Sequence, residues 1–586
     1  MTSIGSARAI APQHDESNLA GWKVGAAMAG VAGIASFQKS LLPRSSTQQA
    51  IVTAASMALA YGVGVGANAI ANRVDDSTGL DAVGSRLAVG GAGVAGVLGL
   101  TLAMRGKPNL AMDAARTGAG VLAGGAVVGA ALIGEQALVD RIQDRTPGGA
   151  MAAHAAILGA AALGVGAWVH GMPRMSGVSA EAERAYIAAT GGVMGHSAGN
   201  VATFDEAGHA ALTTLREPMT SVSGRTAGTL LPDGAVGKAG LRFINEATPA
   251  VEIARVMGGD AAAIKEPIRI YGGMQHAATR AELAEKIFQE SLAKGAFDRA
   301  NVVLYVPSGT GHVNPMPVTA SEYLMRGDVA SIGMQYGNKP SIQSFQHVDK
   351  ATDLFDEVLT RFSRHIETLP ADARPTLSVY GESLGAWGIQ DTFLKSGVPG
   401  IAERGIDNVI NVGTPRFSKL RAEAIGLGGH RMDASGAMFE FDNLDQLKAL
   451  APTQRDGVRA YLLSHYNDPV NKVSPTMLWQ RPEWLASTEH ATGVPRKMKW
   501  LPGVTGIQGL VDNANGATVI PGVLERTGHD YRADMAPVIA EIFRTPTTEA
   551  QMKGITGALN QLELSHVHAG APAIRFPVAS AAGAAG

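Results

Sequence analysis

The sequence predicts an α/β domain, a mainly parallel sheet with helices on both faces, preceded by an all-α transmembrane helical domain. Three observations carry that expectation. From Glu266 onward, β-prone runs alternate with amphipathic helical stretches, the pattern of strand–helix–strand units. One such run, Thr376 to Tyr380, drives into Gly381-Glu382-Ser383-Leu384-Gly385 and then into a helix-like segment to about Lys395. The first 175 residues hold five apolar stretches free of charge.

Composition narrows the function classes. At 586 residues the chain exceeds one ordinary domain. Lys+Arg 49 against Asp+Glu 51 gives a net charge of −2, which offers no basic footprint for nucleic acid. Cysteine is absent, so disulfides, thiolate metal sites and a cysteine nucleophile are excluded. Charged residues are 17% of the chain, against about a quarter usually, and the deficit lies in the first 175 residues.

Residues 1–18 read as a polar tail. The apolar stretches run over 25–37, 49–71, 87–104, 117–134 and 148–172. A membrane span needs about 20 apolar residues, which the second and fifth meet easily, the third and fourth just meet, and the first falls short of. Trp22 and Trp168 stand near segment ends, where interfacial aromatics belong. Gly120-x-x-x-Gly124 and Gly125-x-x-x-Gly129 favour close helix packing. Residues 19–173 are therefore expected to form a transmembrane domain of about five spans. The competing readings are an Ala/Gly-rich soluble helical domain and, for the first stretch alone, a cleaved signal peptide. Lys and Arg near the spans divide almost evenly between the two sides, so the positive-inside rule assigns no orientation.

Residues 174–265 read as a linker or collar without chemistry. The α/β domain is expected over 266–547, with strands at 268–271, 301–306, 329–336, 376–380, 409–412 and 459–464. Helices are expected over about 278–294, 349–367 and 532–543. Residues 548–586 read as a C-terminal tail, partly disordered, ending in an Ala/Gly/Pro/Ser-rich stretch.

The chemistry starts at Ser383. Gly-x-Ser-x-Gly between a strand and a helix is a nucleophile elbow, whose glycines leave room for a turn that presents the hydroxyl above the strand end. Such a serine needs a base and an acid to orient it, in the chain order Ser, acid, His of the α/β-hydrolase arrangement. Asp468 follows the strand ending at Ser464, with Pro469 fixing the turn; Asp442 and Asp445, in a polar, loop-like stretch after Phe439, are its rivals. His529, in Thr527-Gly-His-Asp-Tyr531 before the 532–543 helix, is the candidate base. His465, His490, His566 and His568 are rivals that lie before the proper place or in the tail expected to be poorly ordered. The oxyanion hole is expected from the N–H of Leu384 and from the loop 307–315, through Gly309, Thr310 and Gly311. That loop has no following Gly-Lys-Ser/Thr and the wrong glycine spacing for a dinucleotide.

Together these stretches resemble an actinobacterial membrane-bound α/β-hydrolase family, which joins an N-terminal multi-span domain to a C-terminal hydrolase domain. The similar segments are Ser40-Leu-Leu-Pro-Arg44, Pro307-Ser-Gly-Thr-Gly-His-Val-Asn-Pro315, Gly381 to Gly385, His465-Tyr-Asn-Asp-Pro-Val470 and Gly528-His-Asp-Tyr531. The resemblance implies a Ser383–His529–Asp468 triad and lipase or esterase activity. Two departures stand out: His312 replaces an aromatic, which bears on the substrate entrance, and Arg526-Thr527 replace a Gly-His pair. The stretch between acid and base holds three of the six tryptophans, Trp479, Trp484 and Trp500, and reads either as a cap over an apolar pocket or as a loop packed on the sheet.

The expectation is an integral, multi-pass membrane serine hydrolase acting on a carboxylic ester of a lipid or acyl-chain substrate. It is expected to need no metal or cofactor and to partner the bilayer rather than nucleic acid. An acyltransferase using the same triad, and a non-catalytic membrane scaffold with a hydrolase fold, are the alternatives; acceptor choice depends on water access, which the sequence does not encode legibly.

Overall fold

The computed structural model describes residues 21–78 and 221–568, apart from 45, 225–227, 339–343, 345–346, 427–430, 486–493, 496–497, 517–523 and 525. The chain divides into two compact units. One comprises Met1–Gly177, Ser474–Ala486 and Pro495–Val511, the other Val178–Val473, Ser487–Val494 and Asp512–Gly586.

The second unit is built on seven strands: β1 (Ile268–Gly272), β2 (Asn301–Val306), β3 (Val329–Met334), β4 (Thr376–Glu382), β5 (Asn408–Val412), β6 (Met438–Phe441) and β7 (Ala460–Leu463). Every pair is parallel and the order is β1-β3-β2-β4-β5-β7-β6. The strands are buried on both faces, which is why they read as continuous apolar runs rather than as alternations. Alternate residues nevertheless feed two separate cores. Val303 and Tyr305 face one, with Leu241, Ile253, Met316, Met535 and Ile555. Val302, Leu304 and Val306 face the other, with Ile287, Phe355, Leu359 and Ile389. Six of the strands lie where the alternation predicted them. β6 was missed because four residues at a sheet edge, followed at once by Asp442-Asn443, carry too short a pattern.

The chain lays β3 on one side of β2 and β4 on the other, so the order reverses between β2 and β4. In open parallel sheets the crevice at the strand C-terminal ends beside such a reversal is where ligands bind. The loop after β2 and the elbow after β4 flank it.

Part of the stretch read as a linker belongs to this unit's core. Helices Lys238–Asn245 and Ala250–Met257 bury Leu241, Phe243, Ile244 and Ile253. A buried ion pair fixes them: Arg269 of β1 grips Glu322 at 2.6 Å and donates to the Phe243 carbonyl at 2.9 Å, while Glu322 accepts from the Thr248 amide at 3.0 Å. A charge inside β1 is tolerated because the paired groups also satisfy each other's remaining hydrogen bonds. The C-terminal helix Glu549–His568 likewise buries Ile555 and Leu559; residues 569–586 lie outside the described residues.

In the first unit, helices Gly21–Ala35 and Ser46–Thr78 approach closely through glycines. A β-carbon on Gly64 would lie 2.9 Å from the Gly25 Cα, and one on Gly25 would lie 2.8 Å from the Tyr61 ring. Within the longer helix, Gln48–Arg73 is the one described segment long and apolar enough to cross a membrane, at 26 residues and mean hydropathy 1.6. The first expected span is a helix of 15 residues; the third, fourth and fifth lie outside the described residues. Two pieces of the segment between acid and base, Ser474–Ala486 and Pro495–Val511, belong to this unit. Gln38 donates to Thr505 Oγ1 at 3.1 Å, and Gln508 donates to the carbonyls of Ser36 (3.0 Å) and Gln38 (3.1 Å). Trp500 donates to the Met477 carbonyl at 2.8 Å.

Candidate active site

β4 is the central strand, and its end carries Ser383 with φ 55° and ψ −118°, a conformation costing a non-glycine residue about 1–3 kcal/mol. Two close approaches enforce the elbow. A β-carbon at Gly385 would lie 2.0 Å from the Val306 carbonyl, and one at Gly381 would lie 2.4 Å from Ile389 Cδ1 and 2.7 Å from the Ala386 amide. The Ser383 amide donates to the Val412 carbonyl at 2.9 Å, tying the elbow to the end of β5. Its hydroxyl does not cap the Leu384–Thr392 helix that follows.

Leu384 opens that helix, so its N–H has no partner within it. In the loop after β2, the Gly311 amide donates to the Ser308 carbonyl at 2.9 Å, and the Gly311 carbonyl accepts from Tyr271 Oη at 2.6 Å. Gly311, at φ +81°, is thus committed to the turn. The amides of Gly309 and Thr310 have no backbone partner among the described residues. Asn314, at the end of the loop, donates to Glu382 at 2.9 Å, and Tyr380 donates to the same Glu382 oxygen at 3.0 Å. Glu382, the residue before the serine, thereby ties the loop to the end of β4.

Asp468 follows β7 and is wholly buried. One carboxylate oxygen accepts from the Val470 amide at 2.8 Å. The other accepts from His529 Nδ1 at 2.8 Å and from the Tyr531 hydroxyl at 2.6 Å. Because Nδ1 donates to a carboxylate, the neutral ring carries its lone pair on Nε2. Burial opposes charging of His529, but the charge and hydrogen bond of Asp468, with Glu382 and Asp530 further out, outweigh it and raise its pKa above the ordinary histidine value.

His529 reaches this position on a short turn. Gly528 adopts φ +57°, its amide donates to Asn467 Oδ1 at 3.0 Å, and Asn467 Nδ2 donates to Thr527 Oγ1 at 2.9 Å. The imidazole lies against Gly413, where a β-carbon would fall 2.4 Å from Cε1 and 2.8 Å from Nδ1. Gly413 is adjacent to Val412, the acceptor of the Ser383 amide, so the serine backbone and the histidine ring both lie against the end of β5.

The rival residues have other partners. Asp442 accepts from the Tyr466 amide at 2.6 Å, and Asp445 is exposed in the first turn of Leu444–Lys448. His465 forms a second buried pair, with Asp534 at 3.1 Å. His566 and His568 lie in the C-terminal helix, and His490 lies outside the described residues. A cavity of about 1020 Å³ opens elsewhere, along Arg280, Lys350, Asp353, Asp391 and Lys395, and includes none of Ser383, Asp468 and His529. Its lining is charged of both signs and holds no nucleophile beside a base, so the strand ends remain the candidate site on chemical grounds.

Asn467, Tyr531 and Glu382 escaped the sequence reading. Each lies next to or within three residues of a singled-out position, and only the fold reveals which way each side chain turns. No curated protein and no solved structure matches the chain. The C-terminal region, residues 268–555, matches the model of an alpha/beta-hydrolase family, a match that spans the elbow, the buried Asp–His pair and the sheet that carries them and leaves the N-terminal helices outside it.

Proposed function

We propose that the chain is a membrane-associated serine hydrolase that cleaves a carboxylic ester of a lipid or acyl-chain substrate. The observation that carries this reading is the buried Asp468–His529 hydrogen bond of 2.8 Å, beside the strand end that also holds the Ser383 amide. Ser383 Oγ attacks the ester carbonyl carbon while His529 Nε2 takes the hydroxyl proton. The tetrahedral oxyanion is met by the amides of Leu384, Gly309 and Thr310. Collapse expels the alcohol with the proton from His529, and water releases the acid by the same steps in reverse order. Asp468 holds the imidazole in the productive tautomer and stabilises it when charged.

The membrane part rests on the 26-residue apolar helix, whose Ile51, Leu59, Tyr61 and Ile70 are exposed, and on three further apolar stretches of span length in the sequence. Exposed apolar side chains on a helix of this length suit lipid. The test is hydrolysis of p-nitrophenyl esters of increasing chain length by the detergent-solubilised protein. Turnover that rises with acyl length and vanishes in Ser383→Ala supports the reading; equal turnover in wild type and Ser383→Ala refutes it.

A further inference from the structure

We propose that Tyr531, backed by His465, is a positioning residue that shares the Asp468 carboxylate and so sets the pH at which His529 accepts a proton. This rests on His529 being the base of the proposed hydrolase. Tyr531 is wholly buried, and its hydroxyl donates to the same Asp468 oxygen that receives His529 Nδ1, at 2.6 Å and 2.8 Å. A carboxylate oxygen that accepts a phenol has less electron density to offer the imidazolium, so the phenol restrains the basicity of His529. The phenol itself stays protonated: burial, then the charge and hydrogen bond of Asp468, push its pKa far up.

His465 holds the phenol in place from two directions. Its backbone amide donates to Tyr531 Oη at 3.0 Å, and its ring stacks on the tyrosine with centroids 4.1 Å apart and planes 22° from parallel. His529 meets the same tyrosine edge-on at 5.6 Å, so Tyr531 is flanked by both imidazoles. The His465 ring has acceptors at both nitrogens: the Gly528 carbonyl 2.9 Å from Nδ1 and Asp534 Oδ2 3.1 Å from Nε2. The Gly528 carbonyl can only accept, and Arg526 Nε lies 3.0 Å from the other Asp534 oxygen. Protons on both ring nitrogens, an imidazolium, would satisfy both acceptors, and the hydrogen bond and charge of Asp534 favour that state against the opposing burial. The other charged groups around it are Asp468 and Asp442; around His529 they are Asp468, Glu382 and Asp530; Lys472 lies near Asp468. Loss of the phenol or of the His465 charge pushes the same way, toward a more basic His529. The contact to Gly528 also anchors the residue before His529.

The test uses the full chain in detergent with ¹⁵N-labelled histidine rings. Imidazole NMR titration is run on wild type, Tyr531→Phe and His465→Gln, alongside the rate of fluorophosphonate labelling against pH. In wild type, His465 is expected to show two protonated nitrogens at pH 7. In Tyr531→Phe the His529 midpoint should move up by about half a pH unit or more, and His465→Gln should move it in the same direction. The labelling midpoint should follow. A neutral His465 ring at pH 7 in wild type, or a His529 midpoint that stays or falls in Tyr531→Phe, overturns the proposal even if the labelling plateau drops. Absence of labelling in wild type refutes the hydrolase reading alone, because the ring titrations stand without it.

Discussion

Asp468 commits both carboxylate oxygens inside the protein, one to the Val470 amide and one to His529 and Tyr531. Asp442, its rival in the sequence, commits one oxygen to the Tyr466 amide and has no imidazole partner among the described residues. Asp468→Asn should therefore leave the fold intact while lowering ester turnover by about 10⁴, since the amide cannot hold the productive imidazole tautomer. Asp442→Asn should leave turnover within about twofold; steady-state kinetics on both variants decide between the two acids. At this scale the sequence was legible where a motif constrains its own neighbourhood. The turn at Ser383 and the loops that carry Asp468 and His529 are local features of this kind, and the catalytic roles of the three residues are proposals. Gly311 was expected as an oxyanion donor, yet its amide is committed to Ser308, a detail of turn geometry that glycine spacing does not encode. Tyr531 stands in the sequence only as the end of the Gly528-His-Asp-Tyr531 segment, because nothing there says that its hydroxyl reaches back to Asp468.

The elements around the site are held apart by backbone, and Gly413 is the close approach that involves His529. It follows β5 at φ +58°, and the His529 ring occupies the place of its β-carbon. Gly413→Ala should cost about 1–2 kcal/mol for the left-handed backbone and should displace His529, so labelling of Ser383 should fall much further than stability. Thermal melting and labelling rate, measured on the same sample, separate the two effects. The turn bearing His529 also predicts a pH dependence of stability. The pKa of His465 is raised because the hydrogen bond and charge of Asp534 overcome the opposing burial. A group raised on folding contributes its full stabilisation below its unfolded pKa, about 6.5, and loses it as pH rises through the folded midpoint. The fall of Tm from pH 6 to 9 should be shallower in His465→Gln than in wild type. Strand and helix positions were readable here because apolar runs and amphipathic periods are local. The short edge strand β6 was not, since its identity depends on β7 beside it.

Across the whole molecule, the chain's linear order is a poor guide to its units. Residues 236–257 precede the first strand, yet they carry Leu241, Phe243 and Ile253 into the core under the Arg269–Glu322 pair. Nothing in a helical patch between breaks announces a partner buried in a strand downstream. Truncation at residue 265 should accordingly give an unstable, aggregating product, whereas a start near residue 221 keeps those helices; soluble yield and melting temperature compare the two. The segment 495–511, between acid and base, hydrogen-bonds to Gln38 and Ser36 of the N-terminal unit instead. For the membrane proposal, the full chain is expected in the pellet after carbonate washing, and its recovery in the supernatant would contradict that part of the account. In the proposed reaction Ser383 is a nucleophile whose proton His529 withdraws while backbone amides receive the oxyanion. A fluorophosphonate probe needs all three, so peptide mapping after labelling of the solubilised protein tests them at once. One labelled peptide is predicted, containing Gly381-Glu-Ser-Leu-Gly385, with labelling abolished in Ser383→Ala and strongly reduced in His529→Ala. Failure of the folded wild-type protein to label, or labelling that persists in Ser383→Ala, would contradict the account.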